Sequence, residues 1–200
     1  SNQGSSSPAF WIGGVNQDGR IGIGTTTPNE ALTVRGNIEN LATSGVNPTL
    51  VGSSTLGADP QGLYVSGRYA YTVDTGSDTL KIFNISTSSP AQIGSVAVGT
   101  DPQSVHVSGR YAYVGANGNL ETIDISNPSA PTVVNIIATG GQVDSIQVFG
   151  RYLYLVTNTV VGTIQVFDVS NPTAPVKIGS ANTESSAKIV YVSGRYAYVV

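Results

Sequence analysis

The residues of this 200-residue chain that could do chemistry are few, and most of them recur at fixed intervals. Four arginines, Arg68, Arg110, Arg151 and Arg195, follow a glycine in the string SGRYAY or a close variant, with spacings of 42, 41 and 44 residues. A guanidinium fork suits carboxylates and other oxyanions. An arc of four on one rim is therefore a candidate binding face for an anionic surface glycan or a carboxylate-bearing protein. The competing reading is an exposed arginine at a hairpin end, lying over the tyrosine that follows it. The pairs Tyr69/Tyr71, Tyr111/Tyr113, Tyr152/Tyr154 and Tyr196/Tyr198 each point to one side of a strand, because side chains alternate with a period of two. They read as packing between repeats, with hydroxyls reaching the turns; a carbohydrate platform is the alternative. His106 is the one histidine. It occupies a slot held by Tyr64, Ile146 or Gln147, and Val190 or Tyr191 in the other repeats, so it reads as a packing variant.

Acidic chemistry is equally thin. Asp74-Thr75-Gly76-Ser77-Asp78 is oxygen-rich, yet a calcium loop of the EF-hand type needs further ligands and a closing Glu. The corresponding turns, residues 116–119 and 157–162, carry no acids. The segment is expected to be a hairpin turn. Asp124 and Asp168 precede Ser-Asn-Pro and are expected to hydrogen-bond their own turns. No zinc-ligand spacing, phosphate-cradling glycine loop or nucleophile elbow is present, and Gly22-Ile23-Gly24 opens no helical pattern. The segments GLYV, SVHV, SIQV and KIVY supply no acids to a central channel. No catalytic residue, metal site or cofactor is expected, and a channel hydrolase is disfavoured.

Positioning these residues falls to a repeat. In phase with SGRYAY, a second element recurs as TLKIFNIS from Thr79, NLETIDIS from Asn119 and TIQVFDVS from Thr163. A proline-bearing turn and an apolar run follow each time, over residues 93–98, 133–137 and 176–181. Apolar residues alternate and turn residues interrupt every few positions, so each period holds four short strands and no amphipathic helix. In the second period the strands read SVHV, YAYVGA, LETIDI and VVNII. Gly before each Arg, and Asn117-Gly118, supply tight hairpins. Leu80, Ile82, Phe83 and Ile85 do not alternate strictly, which suits a sheet buried on both faces. Four antiparallel strands per 40 to 45 residues is the period of a β-propeller blade; the fold class is all-β.

Composition narrows the function classes. With 9 Lys+Arg against 12 Asp+Glu, a net charge of −3 and 10% charged residues, the chain lacks the basic footprint of nucleic-acid binding. Every apolar run is cut well before the roughly 20 residues of a spanning helix, so membrane insertion is not expected. The absence of cysteine excludes disulfides and thiol chemistry. Beginning at Ser1 with no methionine, the chain reads as a processed product or a fragment of a longer one.

The repeat resembles the LVIVD type of propeller repeat found in bacterial and archaeal surface proteins, in which VSGxYAYV precedes a strand ending DISNPxxP. The resemblance spans residues 48–200, with DISNPSAP from Asp124 and DVSNPTAP from Asp168; in the first repeat Asn84 replaces the Asp and the turn reads STSSP, a weaker turn in the same period. NPTLVGSSTLGADPQG from Asn47 aligns with SPAQIGSVAVGTDPQS from Ser89 at a constant offset of 42. Residues 48–56 therefore read as the outermost, ring-closing strand of a blade whose other three strands are not upstream. The sequence holds three full blades and the start of a fourth. Because rings take about four to eight blades, the parent chain is expected to continue past Val200, in preference to a ring completed between chains. Loops 58–62, 100–104, 140–145 and 183–188 are expected to vary and to be available for partners. Asn84-Ile85-Ser86 is a formal glycosylation sequon that reads as a strand end.

The first 46 residues differ in texture. Residues 1–18 form a Ser/Gly-rich lead with Phe10, Trp11 and Ile12; residues 19–38 carry Ile21, Ile23, Leu32 and Val34 between Gly and Thr-Thr-Thr-Pro turns; residues 39–47 are a connector. DGRIGIGTTTPNEALTVRGNI resembles segments of phage tail fibres and large bacterial surface proteins that precede or link trimeric stalks. That resemblance implies a homo-oligomer, with a trimer favoured, assembled by strand sharing through Phe10, Trp11, Ile12, Ile21, Ile23, Leu32 and Val34. A strand pair packed on the propeller's side is the alternative. The expectation is an extracellular, cell-surface or virion-associated structural protein, a fibre or filament displaying a propeller. The rival is an adhesin-like glycan- or protein-recognition module with the stalk as a tether.

Overall fold

The computed structural model describes residues 50–183 and 186–200 in full, and the backbone alone of residues 12–13, 21–23 and 32–34. The chain divides into two compact units, residues 1–49 and 50–200.

In the first unit β1 (Ile12–Gly13), β2 (Ile21–Ile23) and β3 (Leu32–Val34) form one sheet in the order β1-β2-β3. β1 pairs antiparallel with β2, and β2 pairs parallel with β3, setting Ile21 opposite Leu32 and Ile23 opposite Val34. Phe10 and Trp11, the rest of the lead and the connector lie outside the described residues.

The second unit is an all-β, open β-propeller. Its first blade is β4 (Pro60–Ser66), β5 (Tyr69–Asp74), β6 (Thr79–Asn84) and β7 (Ala91–Ala97). The second is β8 (Ser104–Ser108), β9 (Tyr111–Ala116), β10 (Asn119–Asp124) and β11 (Thr132–Ala138). The third is β12 (Gln142–Phe149), β13 (Tyr152–Asn158), β14 (Thr163–Asp168) and β15 (Val176–Asn182). β16 (Val190–Ser193) and β17 (Tyr196–Val199) form a two-stranded start of a fourth. Within each blade every strand pairs antiparallel with its sequence neighbour. The first hairpin of each blade turns on a glycine in the left-handed region, with φ of 57°, 59°, 62° and 58° at Gly67, Gly109, Gly150 and Gly194, a conformation that costs a residue with a Cβ. The third and fourth strands share a register shift at one repeat position, after Ile82, Thr122 and Val166; such a bulge increases local twist.

Alternation along the strands gives each blade two apolar faces, and the core lies between blades. Tyr71, Val73, Leu80 and Ile82 of the first blade pack on Val105, Val107, Ala112, Val114, Ile123 and Ile125 of the second. Tyr111, Tyr113 and Leu120 then pack on Val143, Ile146, Leu153, Leu155, Phe167 and Val169 of the third. A smaller cluster, Val156 with Ala187, Val190 and Val192, joins the third blade to the β16–β17 hairpin. Side chains of this size contribute about 1.5–3 kcal/mol each when fully buried, so the blades are held by their neighbours, as in other quasi-linear repeats.

Residues 50–56, the described part of the 48–56 segment read above as a ring-closing strand, belong to no ladder. A strand needs a hydrogen-bonding neighbour, and no described strand pairs with them. They nevertheless occupy the slot of an outer strand. Gly52 sits against the Ser88 carbonyl as Gly94 of β7 sits against the Pro128 carbonyl, and a Cβ on either would fall 1.9 or 2.1 Å from that oxygen.

Candidate functional site

The arginine arc is built by the first hairpin of each blade. Every guanidinium stacks on the ring of the next residue, at 5.1 Å for Arg68 on Tyr69, 5.2 Å for Arg110 on Tyr111, 5.0 Å for Arg151 on Tyr152 and 5.2 Å for Arg195 on Tyr196. Arg68 Nε donates to the Tyr69 hydroxyl at 3.0 Å, and Arg110 Nη2 donates to the Tyr111 hydroxyl at 2.9 Å. Arg151 adds a partly exposed ion pair with Asp168 at 3.2 Å; pairs open to solvent on one side contribute little. All four arginines are exposed, so each stack fixes the orientation of a guanidinium that stays in contact with solvent. The tyrosines take the inter-blade role in the complete blades: Tyr71, Tyr111 and Tyr113 are buried, and burial pushes the Tyr113 hydroxyl up to about 12. Tyr196 and Tyr198 of the last hairpin are exposed.

The Asp-Ile-Ser turn at Asp124 and the Asp-Val-Ser turn at Asp168 close as their sequence requires. Ser126 N and Oγ donate to Asp124 Oδ1, and Ser170 N donates to Asp168 Oδ1 at 2.9 Å. These bonds from the serines are the largest cause holding both carboxyls below the usual range. Asn84 makes the same pair of bonds, accepting from Ser86 N at 3.0 Å and Ser86 Oγ at 2.7 Å. The amide oxygen replaces the carboxylate oxygen in place, so the divergent first turn keeps its fastening.

The two acids of residues 74–78 go separate ways. Asp78, at φ 49°, accepts from Asp101 N at 2.9 Å. Asp74 is fully buried and pairs with Lys81 Nζ at 2.6 Å. That hydrogen bond holds its carboxyl below the usual range against the opposing effect of burial, with help from the backbone at Asp59 and Gly76. Among the described residues no three His, Cys, Asp or Glu side chains gather as a metal cluster would require. His106 stacks on Tyr64, with ring centroids 4.4 Å apart, and its buried Nδ1 has no hydrogen-bond partner; burial lowers its pKa, which favours the neutral ring.

A further constellation, not singled out from the sequence, clasps successive blades. The third residue of each TLKIFNIS-type strand reaches back to the chain entering the blade. Lys81 Nζ donates to the Leu56 carbonyl at 2.9 Å, Glu121 Oε1 accepts from Gly99 N at 2.7 Å, and Gln165 Nε2 donates to the Thr139 carbonyl at 2.7 Å. A polar residue at one slot of three otherwise apolar strands was the available signal; its differing charge hid the common role. The loops expected to serve partners are also laced between blades. Gln142 Nε2 donates to the Asp101 carbonyl at 2.8 Å, and Lys188 pairs with Asp144 at 2.7 Å.

Burial raises the Glu121 carboxyl above its usual range, and the Gly99 N–H acts in the other direction. An acid raised on folding binds its proton more tightly in the folded state, so its cost to stability grows as pH rises from the unfolded value through the folded one. Glu121→Gln keeps the acceptor and removes that cost. The expected result is a melting temperature equal to wild type near pH 3 and higher by roughly 2–4 °C at pH 7, the shift that ~1 kcal/mol gives at this size. Superimposable melting-temperature profiles would refute the assignment.

Residues 57–98, 99–139 and 140–183 each match the family model of the LVIVD repeat. No curated protein matches the chain. Among solved structures, the computationally designed Ika4 protein is similar with a TM-score of 0.62 at 11% identity, covering 77% of this chain and 92% of its own. A putative 6-phosphogluconolactonase from Bacteroides fragilis gives 0.61 at 16% identity, over 70% of this chain and 47% of its own. Saccharomyces cerevisiae Sqt1 gives 0.57 at 7%, over 66% and 38%. The last two are matched over less than half their length, and at these identities the likeness is one of fold.

Proposed function

The chain belongs to the LVIVD repeat family, and from that premise we propose that it is a non-enzymatic structural protein of a cell surface or virion, assembling through residues 19–38 and displaying its propeller for binding. What carries this reading is where the buried polar groups of the 50–200 unit are spent. Glu121 and Gln165 each hold the backbone that joins one blade to the next, and Lys81, paired with Asp74 inside the first blade, holds the Leu56 backbone that leads into it. They support a scaffold; turnover would ask such groups to converge on a substrate. Ile21, Ile23, Leu32 and Val34 fall on a sheet whose strands have three residues or fewer, and so short a sheet gains independent stability by adding strands from other chains.

A second reading rests on the arginine rim. Four equally stacked, exposed guanidiniums form a repeated surface suited to a polyanionic glycan or an acidic protein segment, with the N-terminal unit as a tether.

The test is the solution mass of the full chain against one lacking residues 1–46, by light scattering. The reading expects the number of chains per particle to fall threefold on deletion. An unchanged number would remove the stalk from the account and leave the propeller's rim as the functional surface.

A further inference from the structure

The inner strands of successive blades meet through one repeat position, three residues before the glycine of each SGRYAY-type string: Tyr64, His106, Gln147 and Tyr191. In the third blade Gln147 spans the junction with two hydrogen bonds. Its Nε2 donates to the Val192 carbonyl at 3.3 Å, and its Oε1 accepts from Val192 N at 2.6 Å. In the first blade Tyr64 spans the junction with its ring, which meets the His106 ring at a centroid distance of 4.4 Å and an angle of 47°. His106 is thus one half of a contact between blades, and the one residue of that slot whose charge changes near neutral pH.

The ring is half-buried beside its cross-strand partner, buried Tyr113. Its Nδ1 is buried and bonds to no group. A neutral imidazole tolerates that arrangement, because one of its nitrogens carries only a lone pair; an imidazolium carries N–H on both. The second proton would make Nδ1 a charged donor, out of water and without an acceptor, which is far more costly than a bare neutral nitrogen. No free anion offsets that cost. The titratable groups on the strands packed against β8 are Tyr64 on β4, Tyr69, Tyr71 and Asp74 on β5, Tyr111 and Tyr113 on β9, and Asp144 on β12. The tyrosines are neutral below about pH 9, and Asp74 and Asp144 are held by Lys81 and Lys188. Burial accordingly lowers the pKa of the ring with no charge opposing it.

We propose that His106 is an acid-sensitive latch between the first and second blades: the neutral ring holds β8 to β4 through Tyr64, and a second proton drives the ring out of the junction and loosens the two inner strands. The junction lies inside the series of blades and involves neither residues 1–49 nor the arginine rim. The unfolded chain titrates near 6.5 and the folded ring lower, so opened states take the proton first. Opening is therefore constant above the unfolded value and grows by about tenfold for each pH unit below it, until the folded value is reached.

Because His106 is the one histidine, its Cε1–H resonance reads the titration of the wild-type chain directly. The midpoint is expected below that of the same chain in urea. Hydrogen exchange, corrected for its intrinsic pH dependence, should show β4 and β8 losing protection at the tenfold rate while β13 and β14 of the third blade keep theirs. His106→Phe keeps an aromatic ring on Tyr64 without a nitrogen, and His106→Gln installs the side chain that spans the junction in the third blade. Either variant should hold the protection of β4 and β8 constant between about pH 8 and pH 5, where Glu121 titrates in variant and wild type alike. Should His106→Phe fail to fold, His106→Gln carries the comparison, and the wild-type titration stands without either. Three results would overturn the latch: a folded midpoint at or above that of the unfolded chain; protection that responds to pH equally in wild type and variant; or a loss spread evenly over all blades, which would make the histidine a matter of overall stability.

Discussion

Phe167→Ala is expected to lower the stability of the 50–200 unit by about 3–5 kcal/mol and to split its unfolding into two steps. Phe167 is fully buried on β14, among Leu153, Leu155 and the side chains that the second blade sends across. Truncating it leaves a cavity on the junction between the second and third blades, where the surrounding sheets can relax little. In a closed ring the loss would be shared around the circle. In an open series of blades each interface is the only coupling across it, so weakening one lets the parts on either side unfold at different denaturant concentrations. Phe83→Ala is the internal comparison. Phe83 holds the same place on β6, but its neighbours open onto an apolar pocket beside residues 52–56, and no blade among the described residues packs before the first. Phe83→Ala is expected to cost less and to keep a single transition. Urea titrations followed by circular dichroism and by tyrosine fluorescence decide the matter: coincident single transitions for Phe167→Ala would mean that the junctions are not the weak links.

Local chemistry was legible in the sequence, and relations between blades were not. The glycine of each SGRYAY string declares its left-handed turn, because without a Cβ a φ near +60° carries no steric cost. The Asp-Ile-Ser turn is legible too, and its Asn84 version keeps both serine bonds, each longer than its counterpart at Asp124 and made to a neutral oxygen, as a weaker turn would. The arginine slot was read as either a rim or a stack on tyrosine. The structure has all four stacked and all four exposed, so the stack accounts for their orientation and not for their use. The clasps of Lys81, Glu121 and Gln165 escaped because their partners are backbone groups of the segments that lead into each blade, which carry no side-chain signature. Residues 50–57 show the same limit from the other side. Their alignment with β7 was visible at a constant offset, yet whether they enter a ladder depends on a neighbouring strand that the offset cannot provide.

Lys81→Met follows from that limit, and its effect should be the most pH-dependent of any single substitution. In wild type, Lys81 donates both to buried Asp74 and to the Leu56 carbonyl, tying residues 50–57 to the first blade. Methionine matches the stem and removes the charge, leaving a carboxylate out of water with its ammonium partner gone. Breaking one side of a buried pair is far more costly than replacing both. A fall in melting temperature on the order of 10 °C is expected at neutral pH. The pH dependence has a definite sign. The wild-type pair holds the Asp74 carboxyl below its ordinary range, so its stabilisation is present above the unfolded-state value, near 3.9, and fades as pH falls through the lower folded value. Without Lys81 the same burial pushes the carboxyl upward, and the ionised form becomes a cost that grows as pH rises. The gap between wild type and variant should therefore be smallest in acid and widen towards pH 7. Asp74→Asn in the Lys81→Met background should recover much of the loss at pH 7, because the remaining group carries no charge. Limited proteolysis supplies the local readout: residues 50–57, deprived of the clasp at Leu56, should be cut before any strand of the first blade. Equal protection in the variant would assign that segment's hold to the close packing of Gly52 on Ser88 instead of to the lysine.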